Sequence, residues 1–304
     1  MPPNRRIVLT TFGSYGDVLP YLAVGRGLKE RGHEVILATS AAYRAPVEAA
    51  GLSFAPVRPD VDYNDAELFR RVMDRRHGAS VIVRELLVPR LRESYSDLEA
   101  ACAGANLVVS HVLTYAAPIH AERTGLPWAA AVLSPMVFCS AWDPPALAPL
   151  PSLARLRHLG PRLSGWVLGG LKRLAWSWSE PIRRFRRELG LAADRDPLWE
   201  GQFSPHGNIA LFSGAFAEAQ PDWPANTTLC GFPFHDEDFG GDPDRERLEA
   251  FMSAGPPPIV FTLGSSGGHA AGNFYDETVR AARALRRRAV LVVGAASPPR
   301  DLRD

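Results

Sequence analysis

The residues best suited to chemistry follow short apolar runs. Gly13-Ser14-Tyr15-Gly16-Asp17 comes directly after Ile7-Val8-Leu9-Thr10-Thr11-Phe12. Glycines in such a turn let the backbone fold tightly and approach a ligand closely. The turn presents one carboxylate, Asp17. That carboxylate has two readings from spacing alone. It can be presented to a ligand at the switch point of the sheet, or it can cap the helix that follows, a frequent role for Asp. A free carboxylate with a pKa of about 4 is a weak base at neutral pH, and partial burial raises it. His111 ends another apolar run, Leu107-Val108-Val109-Ser110-His111. It can share the proton work with Asp17 or serve as a satisfied structural histidine. A second glycine turn, Gly264-Ser265-Ser266-Gly267-Gly268, follows the run at 258–263. Small residues and backbone N–H groups at a helix start can cradle phosphate oxygens, and the plainer reading is a strand-to-helix turn.

These glycines do not fit the commoner nucleotide motifs. A dinucleotide site wants G-x-G-x-x-G and an acidic residue ending the second strand, where this chain has Thr39-Ser40. The G-K-[ST] of a phosphate-binding loop is absent as well. The three cysteines, Cys102, Cys139 and Cys230, have no metal-ligand spacing and read as small buried apolar residues, reduced in a cytoplasmic protein. No Asp/His cluster calls for a metal ion.

The elements that must position these groups are legible in the apolar runs. Runs at 7–11, 35–39, 53–57, 107–111 and 129–133 read as strands buried on both faces. Helical segments lie between them, one starting near Pro20 and stopping at Gly32, another over 80–102 with Leu87, Leu91, Leu98 and Cys102 on one side. Strand-helix alternation implies a parallel, doubly wound sheet. In the order 3-2-1-4-5 the ligand crevice lies beyond strands 1 and 4, so Asp17 and His111 should meet there.

With 304 residues, 46% hydrophobic and 22% charged, the chain can build a large core, and the length suggests about two domains. The formal net charge of +1 gives no global case for nucleic acid. The stretch at 142–187 differs, with Trp142, Trp166, Trp176 and Trp178 among many arginines. It reads as helices packed over the first domain with Trp inward and Arg outward. The other reading is an acceptor-site lid that also makes a peripheral membrane contact. The acidic segment Asp236-Glu237-Asp238-Phe239-Gly240-Gly241-Asp242-Pro243 reads as a linker before one strand-helix-strand unit.

Several blocks together resemble the GT-B glycosyltransferases. They are Gly13-Ser14-x-Gly16-Asp17-Val18-x-Pro20, Gly32-His33-Glu34-Val35, Gly125-Leu126-Pro127, Leu133-Ser134-Pro135-Met136, Gln220-Pro221-Asp222-Trp223-Pro224, Thr228-Leu229-Cys230-Gly231-Phe232-Pro233, and Pro258-Ile259-Val260-Phe261-Thr262-Leu263-Gly264-Ser265. The branch resembled contains sterol glucosyltransferases and antibiotic glycosyltransferases. The resemblance implies an α/β fold of GT-B type: a doubly wound parallel-sheet N-terminal domain at 1–235 and a partial second Rossmann-like domain at 242–304. It implies inverting transfer from a nucleotide-diphosphate sugar to a hydroxyl of a lipophilic acceptor such as a sterol, lipid or polyketide. The family's base position matches Asp17. Ser14, Tyr15, Pro135 and Met136 would face the acceptor, and Gly264, Ser265 and Ser266 the donor diphosphate. No cofactor or metal is implied beyond the sugar nucleotide as co-substrate.

The later glycine loop and acidic pair of that family are not found, so the second domain reads as truncated, with weak donor binding and negligible transfer expected. The competing reading is a non-catalytic protein that holds a lipophilic small molecule.

Overall fold

The computed structural model describes residues 4–62, 65–147, 149–235, 245–294 and 299. The chain divides into two compact units. The first is built from residues 1–13, 17–61 and 75–235, and the second from 14–16, 62–74 and 236–304. The linker at 236–243 and the last residues, 300–304, lie outside the described residues.

The first unit is organised by a seven-stranded sheet in the order β3-β2-β1-β4-β5-β6-β7. Its first strands are β1 (Arg6–Thr10), β2 (Glu34–Thr39) and β3 (Ser53–Pro56). They are joined by helices α1 (Tyr15–Glu30) and α2 (Arg44–Ala49). Helix α3 (Ala66–Val72) belongs to the second unit. A helical run then starts as α4 (Gly78–Ser80), widens into a π-helical turn at Val81–Leu87, tightens at Val88–Arg90 and ends as α5 (Leu91–Ala101). The expected helix over 80–102 is therefore present but irregular near Pro89, which has no N–H for the ladder. β4 (Leu107–His111), α6 (Ala116–Thr124) and β5 (Trp128–Val132) complete the nucleus.

Every neighbouring pair in this sheet is parallel, with Ile7 facing Val35 on one side and Leu107 on the other. The middles of the central strands are apolar, as strands buried on both faces require, and Val8 and Leu9 are fully buried. Each such side chain contributes about 1.5–3 kcal/mol by leaving water.

The helix after β1 starts earlier than Pro20. It opens at Tyr15, and Pro20 lies inside it. Asp17 is consequently the third residue of the helix, in its first turn, and not the residue ahead of it. A carboxylate there still benefits from the positive end of the helix dipole.

Residues after β5 pass through a tight turn, Pro135–Phe138, and an irregular connection to α7 (Pro161–Ala175) and α8 (Glu180–Glu188). Two short strands, β6 (Asn208–Ala210) and β7 (Thr227–Leu229), then extend the sheet. The tryptophans here depart from the expectation of Trp inward and Arg outward. Trp142, Trp166 and Trp176 are exposed, while Arg183 is 2% exposed. Arg183 is buried because its charge is met: it bonds Ser179 Oγ at 2.6 Å and Glu180 Oε2 at 2.9 Å, and its guanidinium lies 3.7 Å over the Trp176 ring. Periodicity marks an apolar face but does not say whether anything covers it. Of the cysteines expected to be buried, Cys102 is, and Cys230 is exposed.

In the second unit, α9 (Arg245–Ser253) precedes β8 (Ile259–Thr262). A one-turn helix α10 (Gly264–Gly267), then α11 (Phe274–Ala284) and β9 (Ala289–Val292), complete one strand-helix-strand unit. β8 and β9 pair in parallel, from Ile259 opposite Ala289 to Thr262 opposite Val292. Tyr275 is buried on α11 and donates to the Val292 carbonyl at 2.6 Å. No residue of either strand is fully buried.

Candidate active site

Asp17 and His111 meet at the carboxyl edge of the sheet. β1 and β4 are parallel neighbours, and Asp17 follows one while His111 ends the other. His111 Nε2 is 3.9 Å from Asp17 Oδ1, with the imidazole 6% exposed and the carboxylate 33% exposed. That separation is an electrostatic neighbour distance and too long for a hydrogen bond.

Local contacts hold both groups in place. Gly13 has φ +142°, and a Cβ there would overlap the Asp17 carboxylate and lie 2.8 Å from its Cβ. Gly13 is therefore required twice, for backbone conformation and for space. The buried Tyr43 donates its hydroxyl to the Gly13 carbonyl at 2.9 Å, and Thr11 Oγ1 donates to the Asp17 carbonyl at 3.0 Å. After His111, both the amide and the hydroxyl of Thr114 donate to the His111 carbonyl, at 2.9 and 2.6 Å.

The electrostatics separate the two side chains. Burial takes the His111 pKa down to about 4, with the Phe12 backbone opposing part of the shift. The imidazole is therefore neutral at pH 7. Tyr21 packs edge-on against it, with ring centroids 6.3 Å apart. Burial, and then the Asp17 charge, push the Tyr21 phenol well above its ordinary pKa, so it too is neutral. Tyr21 Oη and His111 Nδ1 are buried and have no hydrogen-bond partner among the described residues. Sequence reading did not single out Tyr21. Its position one turn beyond Asp17 on α1 is the signal that was available.

A narrow cavity of about 20 Å³ lies along the same edge, lined by Thr11, Phe12, Leu87, Leu91, Leu113 and Tyr115. It holds roughly one water molecule. Larger grooves of about 440 and 520 Å³ share Lys172, Trp199 and Glu200, and neither is lined by Asp17 or His111.

The other candidates fall in three places. Ser14 lies in the loop before α1 and Tyr15 is its first residue, exposed. Pro135 and Met136 form the turn after β5, on the same sheet edge as the end of β4. That turn is anchored by Phe138, which stacks on Trp223 with centroids 4.3 Å apart and on Phe203 at 5.4 Å. Gly264 and Ser265 belong to the second unit, at the start of α10. Gly264 has φ +71°, and its N–H already donates to Thr262 Oγ1 at 3.1 Å. The side chain of Ser266 lies outside the described residues. Among the described residues no group of His, Cys, Asp and Glu is arranged to hold a metal ion.

Residues 7–135 match the glycosyltransferase family 28 N-terminal domain. The chain is 34% identical to the O-mycaminosyltylonolide 6-deoxyallosyltransferase of Streptomyces fradiae, over 95% of this chain and 68% of that enzyme. It is 29% identical to a sterol 3-beta-glucosyltransferase of Arabidopsis thaliana, over 86% of this chain and 43% of that one. The chain thus spans about two thirds of the bacterial relative and less than half of the plant relative. Among solved structures, the glycosyltransferase of kitacinnamycin superposes with a TM-score of 0.64 at 17% identity, covering 99% of this chain and 69% of that one. The spinosyn rhamnosyltransferase SpnG, complexed with thymidine diphosphate, gives 0.55 at 16% identity, covering 94% and 65%. These structural likenesses carry the fold, and the sequence match over most of the chain carries the kinship. The chain belongs to the GT-B glycosyltransferases that open with a family 28 N-terminal domain.

Proposed function

We propose that the protein takes part in transfer of a sugar from a nucleotide diphosphate to a hydroxyl of a lipophilic acceptor, with inversion at the anomeric carbon and Asp17 as the base. The observation that carries this reading is the placement of Asp17: a partly exposed carboxylate beside a buried neutral imidazole at the sheet's carboxyl edge. A general base must reach the proton it removes, and among the two groups Asp17 has the exposed oxygens. His111 is nearly closed to solvent, and burial takes its pKa down to about 4, so it gives up the basicity of an ordinary histidine and offers a hydroxyl little access. We assign it a positioning role, as a fixed neutral wall beside the carboxylate.

In this reading the acceptor hydroxyl sits against Asp17, with Ser14, Tyr15, Pro135 and Met136 around the acceptor body. As the acceptor proton passes to Asp17, the acceptor oxygen bonds the anomeric carbon, the bond from that carbon to the diphosphate oxygen breaks, and the nucleotide diphosphate departs with the electron pair of that carbon–oxygen bond. Gly264 and Ser265 are the proposed donor contacts in the second unit. The names of the relatives support macrolide-like and sterol acceptors as the first to try, and the thymidine diphosphate of one neighbour supports that nucleotide as the first donor.

The test is transfer by this chain joined to a complete donor domain, from α-linked thymidine and uridine diphosphate sugars to a macrolide aglycone and to a sterol, with the product anomer read by NMR. A β-linked product is expected. An α-linked product would overturn the inverting reading, and the absence of product with every pair would overturn the transfer itself.

A further inference from the structure

Helix α7 carries an apolar face that no described residue covers. Leu163, Trp166 and Leu174 share one side of the helix at 3.6-residue period, and Trp166 and Leu174 are 79% and 78% exposed. Leu159, in the turn that leads into α7, is exposed as well. Two large apolar side chains left so open on one helix face are unlike the scattered exposed residues of an ordinary surface. The opposite side packs inward through Ser164 and Leu168, so the helix already spends its inner face on the fold.

The charges within this segment of the chain have one sign, and its acidic neighbours, Asp196 and Glu200, line a groove with Lys172 and Arg173. Between Asp143 and Glu180 the sequence has no Asp or Glu, while Arg155, Arg157, Arg162, Lys172 and Arg173 all fall within that interval. Lys172 is answered by Glu200 at 2.7 Å. Arg162 and Arg173 project beside Trp166 on the helical wheel and border the apolar stripe, and both are exposed. Apolar stripe, flanking arginines and a Trp form the pattern of a helix lying in a membrane interface, with long cationic side chains reaching the headgroups.

We propose that α7 and the turn before it dock this protein onto an anionic lipid surface, with α7 parallel to the membrane plane. Charge complementarity selects the occupant. A second copy of the chain meeting this face across a two-fold axis would set the same arginines against one another, which opposes association. Among the described residues no helix is long and apolar enough to cross a membrane. Each cation near an anionic leaflet strengthens binding by about fivefold at low salt, so the arginines and the apolar stripe act together.

This inference goes beyond the transfer reaction and is read without any turnover. The 304-residue chain is mixed with vesicles of pure phosphatidylcholine, and with vesicles of equal phosphatidylcholine and phosphatidylglycerol, and bound protein is separated by flotation. Binding to the mixed vesicles only, weakened by salt, is expected. Trp166→Ser with Leu174→Ser, and separately Arg162→Glu with Arg173→Glu, should each lower binding at least tenfold while circular dichroism is unchanged. Equal binding to both vesicle types, no binding to either, or full binding by both double variants would overturn the proposal. So would a dimer in gel filtration that the Trp166 and Leu174 changes dissociate, since the face would then belong to a second copy.

Discussion

The chain contains two strand-glycine-helix turns that read alike as sequence and differ in build. After β1, Gly13 leads into α1, a long helix whose first turn carries Asp17. After β8, Gly264 leads into α10, a single turn. The first turn is over-determined. Tyr43 and Thr11 bond its backbone, Asp17 fills the space above Gly13, and the strand behind it is fully buried at Val8 and Leu9. The second turn is open. A Cβ at Gly264 would meet nothing within 4 Å, Ser265 is exposed, and Val260 on the strand behind it is 55% exposed. A glycine can thus mark a close approach or merely a change of direction, and the sequence does not separate the two. The packing of the strand behind the turn does, because only a buried strand holds the following carboxylate where chemistry needs it.

Substitutions in the two regions should differ in cost. The largest expected effect is in the strands. Leu9→Ala should cost the first unit about 2–5 kcal/mol, and Val260→Ala should stay within about 0.5 kcal/mol, since one removes packed core and the other exposed surface. Urea unfolding followed by circular dichroism measures both, and equal costs would erase the distinction. Next come the glycines. Gly13→Ala should destabilise by about 3 kcal/mol through strain and overlap with Asp17. Gly264→Ala should cost only about 1 kcal/mol, the ordinary price of a left-handed residue with open space around it.

A pH effect of similar or smaller size follows from His111. Its folded pKa of about 4 lies below the ordinary 6.5, so the unfolded chain binds the extra proton first as pH falls. The stability tied to the neutral imidazole is whole above pH 6.5 and is lost as pH falls toward 4, by up to about 3 kcal/mol. His111→Gln should flatten that part of the pH profile in denaturant titrations at pH 7 and at pH 4.5. An unchanged slope would mean that His111 is not held neutral.

Much of the nucleus was legible because buried parallel strands are continuous apolar runs. The runs at 35–39, 107–111 and 129–133 all became strands within a residue of their expected limits. Their order then brought Asp17 and His111 together, since β1 and β4 flank the reversal point. The start of α1 was misplaced because Pro20 suits a first turn, while the fold begins the helix one turn earlier at Tyr15. The burial of Arg183 was not legible, although Ser179, Glu180 and Trp176 are near it in sequence, because a run of arginines does not show which one faces inward; the exposure of Trp166 was not legible because it depends on the absence of a covering partner. The π-helical turn at Val81–Leu87 likewise leaves no periodic signature in so short a segment.

In the proposed reaction the carboxylate, and not the imidazole, removes the acceptor proton. The most direct test compares turnover of Asp17→Asn and His111→Gln with the unmodified protein, on a donor and acceptor pair that the protein turns over. The account predicts a loss of about 10²–10⁴ in kcat for Asp17→Asn, with acceptor binding retained, and a far smaller loss for His111→Gln. Near-normal turnover by Asp17→Asn, or the larger loss on His111→Gln, would contradict it.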